Sequence, residues 1–339
     1  MRTSIMATAV DWNLHDTGGL VSIGTHSLYL RAAGPVRSTG TPAVICIAGL
    51  GDNSVSWTAV LRHVSVFARC YIYDRTGLGK SEVPSIFTVE SKSYVNIAKE
   101  LRLLLRTADI KPPYLIAMHS MAGIPGREFI NLYPEDVAGM VFVDTLTEEN
   151  YKTRPERLPA IMRTMGEGVD MSFLWTERKP AMTEEEWRDV LNSEGLGNEQ
   201  PPAEIIDRQR SATKFEAQNL IPSSEILASK KQFDATTLGD RPVSVIKGDS
   251  PGEFQKSFER AVAADKGTEE ERQLVRDYLD TAGATQLLLQ FKQLRLSRNS
   301  RMVEARESWH NVQWYQPDLI AREVKWCLDE FEKLKGYVA

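Results

Sequence analysis

The passage 114–134, YLIAMHSMAGIPGREFINLYP, holds the serine best placed for covalent chemistry. An apolar run ends at Ser120, and a helical pattern opens straight after it. A serine at the tip of such a turn sits in strained backbone with its hydroxyl exposed, which suits nucleophilic attack on a carbonyl carbon. Close approach of strand and helix asks for small residues two places either side, the pattern G-x-S-x-G. Here those places hold Met118 and Ala122: Ala122 fits, and Met118 departs from the pattern. The plain alternative is a serine that N-caps the following helix. Upstream, ICIAGLGDNSVSW sets Gly49 and Gly51 in a loop after an apolar strand. Such a loop offers one backbone N–H to a developing oxyanion, and the residue after the nucleophile offers another. Leu50 and Met121 are the two donors this predicts, unless the glycines serve only a turn. A further segment, DRTGLGKS at 74–81, lacks phosphate-loop spacing and reads as a structural turn.

Positioning these groups requires strands that end beside one another. Apolar or β-rich runs at 27–31, 42–48, 70–73, 113–118 and 138–144 alternate with helical patterns at 56–66, 93–105 and 122–132. The run at 42–48 (PAVICIA) is apolar throughout, as in strands buried on both faces of a parallel sheet. This rhythm predicts an α/β fold with a mostly parallel sheet flanked by helices. It stops between Leu146 and about Gly239, where helical patterns alone are legible. Thr183–Glu186 forms a capping box opening a helix that ends near Gly195, and 201–217 reads as another helix. Strand character resumes at 241–247, a second capping box spans Thr268 to Glu271, and 300–305 is the last strand. Pro317 opens a final helix with Ile320, Val324, Cys327 and Phe331 on one face. The expected organisation is a core of 1–146 and 236–339, interrupted by a helical cap over 147–235.

With these segments in hand, the chain resembles the α/β-hydrolase superfamily. AGLGDNSVSW is similar to the family's oxyanion segment, with Ala48 where a histidine often stands. YDRTGLGKSE resembles its turn after the fourth strand, AMHSMAG its elbow, and PEDVAGMVFVD its following helix-to-strand passage. NSRMVEARESWHNVQWYQPDLI looks like its terminal strand, histidine loop and last helix, with Trp309 where glycine often precedes the histidine. The matches cover about 20–146 and 241–335, in the family's order. The resemblance implies a serine hydrolase with a helical cap and a triad in the order serine, acid, histidine. Of His15, His26, His63, His119 and His310, only His310 lies beyond the elbow, since His119 adjoins the nucleophile and is expected to point elsewhere along the strand. His310 is therefore the expected base. Asp144 and Asp249 both follow predicted strands, at the sheet edge where open α/β folds bind ligands. The family more often draws its acid from the later strand. Asp249 directly follows Gly248, without the usual spacer, so Asp144 is favoured. Members that cleave epoxides or carbon–halogen bonds carry an aspartate at the elbow, unlike Ser120.

Composition bounds the partners. The net charge of −5 arises from 41 basic and 46 acidic residues scattered along the chain, with no basic stripe to bind nucleic acid. No stretch reaches the length of a membrane span, and the N-terminal MRTSIMATAVDWNLHD lacks the apolar core of a signal peptide. Cys46, Cys70 and Cys327 form no paired framework or metal spacing, which together with the above makes a cytoplasmic address the expectation. No cofactor or metal is expected, and oligomeric state is not legible. Met162, Met165, Met171, Phe173, Leu174, Trp175 and Met182 in the insertion suggest an apolar lining, or else the packing of the cap on the core. The expected substrate is a small, largely apolar ester, lactone or thioester. The same triad could also serve a lyase, acyltransferase or cyclase, or the fold a non-catalytic binding protein.

Overall fold

Eight strands form one sheet in the order β1-β2-β4-β3-β5-β6-β7-β8. They are β1 (Thr17–Ser22), β2 (Ser27–Ala33), β3 (Ala43–Ile47), β4 (Cys70–Tyr73), β5 (Tyr114–His119), β6 (Val137–Val143), β7 (Val243–Lys247) and β8 (Ser300–Glu304). The computed structural model describes residues 10–338. Residues 1–9, on which part of the leader reading rests, lie outside them. Strands β1 and β2 pair antiparallel, as do β2 and β4; every later pairing is parallel. All residues of β3, β4, β5 and β6 are buried, which explains their unbroken apolar character: helices cover both faces.

The first crossovers carry α1 (Thr58–Val64), α2 (Tyr94–Thr107) and α3 (Gly123–Leu132). After β6 come α4 (Leu158–Gly166), α5 (Phe173–Thr176), α6 (Glu184–Ser193), α7 (Ala203–Ser229) and α8 (Gln232–Ala235). Helices α9 (Ser250–Ala263) and α10 (Glu269–Gln293) lie between β7 and β8, and α11 (Val312–Tyr315) and α12 (Pro317–Val338) close the chain. On one face, α2 and α3 bury Leu101, Leu104, Phe129 and Ile130 against Ile45, Ile116 and Phe142. On the other, α1 and α12 bury Val60, Val64, Ile320 and Val324 against Val44, Leu115 and Val141. The period-2 alternation of strand side chains thus feeds two separate cores.

The helical layer over the sheet's carboxyl edge has two sources. One is the stretch after β6, as expected. The other is α9 with α10, where Phe258, Ala261 and Val275 pack with Leu158, Ile161 and Met165 of α4. Helix α7 also runs twelve residues beyond the predicted 217, continuing through Pro222. Among the described residues, no helix is long and apolar enough to cross a membrane.

Candidate active site

Strand β5 ends in extended backbone at His119, and the chain turns at Ser120, whose φ is +56°. A non-glycine residue in this left-handed region costs about 1–3 kcal/mol and persists only where its surroundings enforce it. The Leu146 N–H helps by donating to the Ser120 carbonyl at 2.8 Å. The unusual Met118 is accommodated one turn into the next helix. A Cβ on Gly126 would lie 2.6 Å from the Met118 Sδ, so the absence of one there makes room for the larger side chain.

Three loops from strands far apart in sequence converge on this turn. The His310 Nε2 lies 2.9 Å from the Ser120 Oγ, and the His310 Nδ1 lies 2.7 Å from the Asp144 Oδ2. Asp144 follows β6 directly and is fully buried. Its Oδ1 accepts from the Gly248 N–H at 3.0 Å and from the Gln286 Nε2 at 2.9 Å. The Ser250 hydroxyl bridges the pair, donating to the Asp144 Oδ2 and lying 2.9 Å from the His310 Nδ1. The backbone of His310 is tethered too: its N–H donates to the Glu253 Oε2 at 2.8 Å, and its carbonyl lies 3.0 Å from the His119 Nε2.

Electrostatics separate the two histidines. Burial pulls the His310 imidazole toward neutrality, but the hydrogen bond and charge of Asp144 outweigh it and raise its pKa above the ordinary 6.5. Burial pushes the Asp144 carboxyl up; the bonds from His310 and Ser250, with the charge of His310, hold it below 3.8. His119 is pulled down to about 3 by burial and by its neighbour His310, so it is neutral near pH 7. Its ring does not point away along the strand as expected. It packs beside His310, with ring centroids 4.5 Å apart, and buttresses that loop.

The glycine loop after β3 lies against the turn. A Cβ on Gly49 would come within 3.3 Å of the Ser120 Cβ and 3.0 Å of the His119 Nδ1, so a larger residue there would press on the turn and glycine eases the approach. Leu50 and Met121 both line the cavity that contains Ser120. The loop is held from behind by Arg75, which donates to the Ala48 carbonyl at 2.6 Å and the Gly49 carbonyl at 2.5 Å. Carbonyl and N–H of one trans peptide point in opposite directions. Fixing the Gly49 carbonyl therefore also fixes the Leu50 N–H, directed away from Arg75. Arg75 is in turn paired with the Glu216 carboxylate of α7 at 2.8 and 2.9 Å, and Lys92 joins at 2.8 Å. Glu216 also accepts from the Gly51 N–H at 3.0 Å. Burial pushes this carboxyl up, but the two cations and their hydrogen bonds hold it at about 2.

The cavity beside Ser120 has a volume of about 510 Å³. Its apolar walls come from Leu146, Leu220, Ile221, Phe254, Ala282 and Leu289. Of the two roles the sequence left open for the insertion's methionines and aromatics, most take the second and pack rather than line this cavity. Met171, Phe173, Leu174 and Met182 pack with Trp309, Trp314 and Tyr315, while Met165 joins the cluster of α4 with Phe258. Trp175 faces Trp187 at 6.2 Å, and only Met162 reaches a smaller adjoining cavity. The physical reason is that Trp309, before His310, is itself a large buried anchor, and these cap residues cover it. Its ring sits 3.5 Å from the Arg178 guanidinium.

Asp249 does not approach His310. It caps α9 by accepting from the Gly252 N–H at 3.1 Å, and it pairs with Arg178 at 2.8 Å. Sequence reading missed Ser250, Gln286, Arg75 and Glu216. Ser250 adjoins the rival acid in the sequence, and Arg75 lay in the segment read as a turn. Glu216 and Gln286 carry no local signal, because their partners lie more than a hundred residues away.

A sequence profile of the alpha/beta hydrolase fold matches residues 42–169. A Gibberella zeae protein named "AB hydrolase superfamily protein" is 29% identical over 325 residues, covering 93% of this chain and 97% of that one. A Hormonema carpetanum protein named "Probable transporter efuK" is 32% identical over 323 residues, covering 94% of this chain. This chain spans 44% of that relative's length. Among solved structures, the haloalkane dehalogenase DbeA from Bradyrhizobium elkani superposes with a TM-score of 0.59 at 12% identity. That match covers 94% of this chain and 99% of the dehalogenase, a likeness of fold. The chain has the α/β-hydrolase fold, and residues 42–169 match that family's profile.

Proposed function

We propose that the protein is a serine hydrolase that cleaves an ester, lactone or thioester through an acyl-enzyme. The observation that carries this reading is the continuous chain Asp144–His310–Ser120, with contacts of 2.7 and 2.9 Å, at the wall of a largely apolar cavity. His310 takes the Ser120 proton as the Oγ bonds to the carbonyl carbon. The Leu50 and Met121 N–H groups bind the resulting oxyanion, each contributing about 3–4 kcal/mol by the scale of known oxyanion donors. Collapse breaks the bond to the leaving group, which receives the proton from His310. Water, deprotonated by His310, then attacks the acyl-enzyme; the acid departs and Ser120 regains its proton.

Asp144 holds the tautomer in which the His310 Nε2 is free to accept. The elbow residue is an alcohol, which favours acyl substrates over the alkyl halides implied by the name of the dehalogenase neighbour. The helices after β6, together with α9 and α10, act as the cap that shapes the cavity. The test is labelling by a fluorophosphonate probe followed by identification of the modified peptide. The expected site is Ser120, with labelling lost in Ser120→Ala at unchanged thermal stability. Absence of labelling in the wild type, or labelling that survives this substitution, would overturn the assignment.

A further inference from the structure

Arg154 stands in the wall of the Ser120 cavity and also lines the smaller adjoining cavity, of about 220 Å³, with Leu158, Met162 and Leu279. It is half-buried. Its situation differs from that of the arginines that are fully buried among the described residues. Arg69, Arg75 and Arg127 each spend their donors on several carbonyls or carboxylates. Among the described residues, Arg154 has no hydrogen-bond or ion-pair partner. Burial acts to lower its pKa, and the phenol of Tyr278, which shares both cavities, is the one group that opposes this. The sole carboxylate lining the larger cavity, Asp144, is already bound to His310, Gln286, Gly248 and Ser250.

A half-buried guanidinium beside a largely apolar cavity, with no partner among the described residues, keeps its donors free for an incoming anion. We propose that Arg154 is the recognition site for a carboxylate on the substrate, so that the enzyme acts on esters or thioesters carrying a free carboxylate beyond an apolar spacer. This rests on the hydrolase reading above and names its substrate class. The apolar spacer lies along Leu146, Phe254 and Leu289, and the carboxylate takes the fork of Arg154 in the two-pronged geometry that guanidinium favours. One cation balances one charge. A phosphate monoester, with about −1.5 to −2 charges near pH 7, would leave negative charge uncompensated among these walls.

The test uses binding, so that it does not depend on turnover. Calorimetry on the full-length Ser120→Ala protein measures monomethyl esters of straight-chain dicarboxylic acids, from succinate to sebacate, against their dimethyl twins and alkyl phosphates of matching length. At least one monoanion should bind about tenfold or more tighter than its dimethyl twin, the scale of one charge-assisted hydrogen bond. Adding Arg154→Gln should narrow that ratio to within about twofold, and Arg154→Lys should retain part of it. Equal affinities, no binding by any monoanion, a preference that survives Arg154→Gln, or tighter binding of the phosphate would each overturn the proposal. Failure of the hydrolase reading shows separately, as absent fluorophosphonate labelling of Ser120 in the wild type.

Discussion

Asp144 and Asp249 follow neighbouring parallel strands, yet only Asp144 meets the histidine. The residue pattern favoured it through spacing, and the contacts around it explain the difference: four groups address the Asp144 carboxylate, whereas Asp249 caps a helix and faces solvent and Arg178. Asp144→Asn should lower kcat by roughly 10³–10⁴-fold, as expected when a triad histidine loses its orienting charge. Asp249→Asn should change it by no more than about threefold, because Asp249 has no hydrogen bond to His310 or Ser120, and its partner Arg178 stays held by the Ser308 carbonyl and the Trp309 ring. Steady-state rates with any ester that the wild type turns over decide between them. The same contacts set a pH dependence. The His310 pKa lies above 6.5, so the base is protonated below that value, and kcat/KM should rise with pH to a midpoint above 6.5. In Asp144→Asn the supporting charge is gone, and the midpoint of the residual activity should move down. An unshifted midpoint would mean that Asp144 does not govern the base. Ser120 and His310 were legible because chemistry restricts their types and order. Ser250 was not, since a serine beside a helix cap has no distinguishing neighbourhood until the histidine loop folds over it.

At the scale of elements, the residue pattern located the strands from β2 to β8 to within about two residues, and β3 to β6 stand out because burial on both faces leaves a largely apolar run. Strand β1 was missed: TGGLVS is glycine-rich and lies at the sheet edge, where only Val21 is buried. Helix α9 was missed because its first turn, Ser250-Pro251-Gly252, reads as a loop. Helix α7 was cut short because its pattern fades before Pro222. The elbow offers a sharper test of element packing. Gly126→Ala would push a methyl into the Met118 Sδ and should destabilise the fold by about 1–3 kcal/mol, the usual cost of overpacking a tight helix–strand contact. Combining it with Met118→Ala, which returns a small residue to the elbow, should recover part of that loss. Thermal melts of the two single variants and the double variant measure the coupling. Strict additivity would show that the two sites do not compensate one another.

Across the whole molecule, the cap and the sheet are joined by charge as well as by apolar packing. Glu216 on α7 binds Arg75 and Lys92 from the sheet side, and through Arg75 it sets the loop that carries Leu50. No sequence pattern foretells this join, since residues 75 and 216 meet only when the helical stretch has folded back over the core. Glu216→Gln leaves two buried cations with one weak acceptor, and should cost about 3–5 kcal/mol near pH 7, as breaking a buried pair does. It should also lower kcat more than it raises KM, because in the proposed mechanism the Leu50 N–H serves the transition state rather than the ground state. The sign of the pH effect follows from the carboxyl itself. Its folded pKa is held at about 2 against 4.5 for an ordinary glutamate. Between these values the unfolded chain binds the proton and the folded chain does not, so stability rises with pH there. The contribution is complete above about pH 4.5 and is lost as pH falls through 2. Asp52 acts in the opposite sense, since burial raises it from 3.8 to about 6 and its ionisation opposes folding across that span. It is common to both proteins, so to first order it cancels in their difference. Denaturant unfolding of wild type and Glu216→Gln from pH 7 down to pH 2 should therefore give a gap that is constant above about pH 4.5 and closes steadily below it. A gap that stays constant to pH 2 would show that Glu216 does not join cap to sheet as an ionised carboxylate.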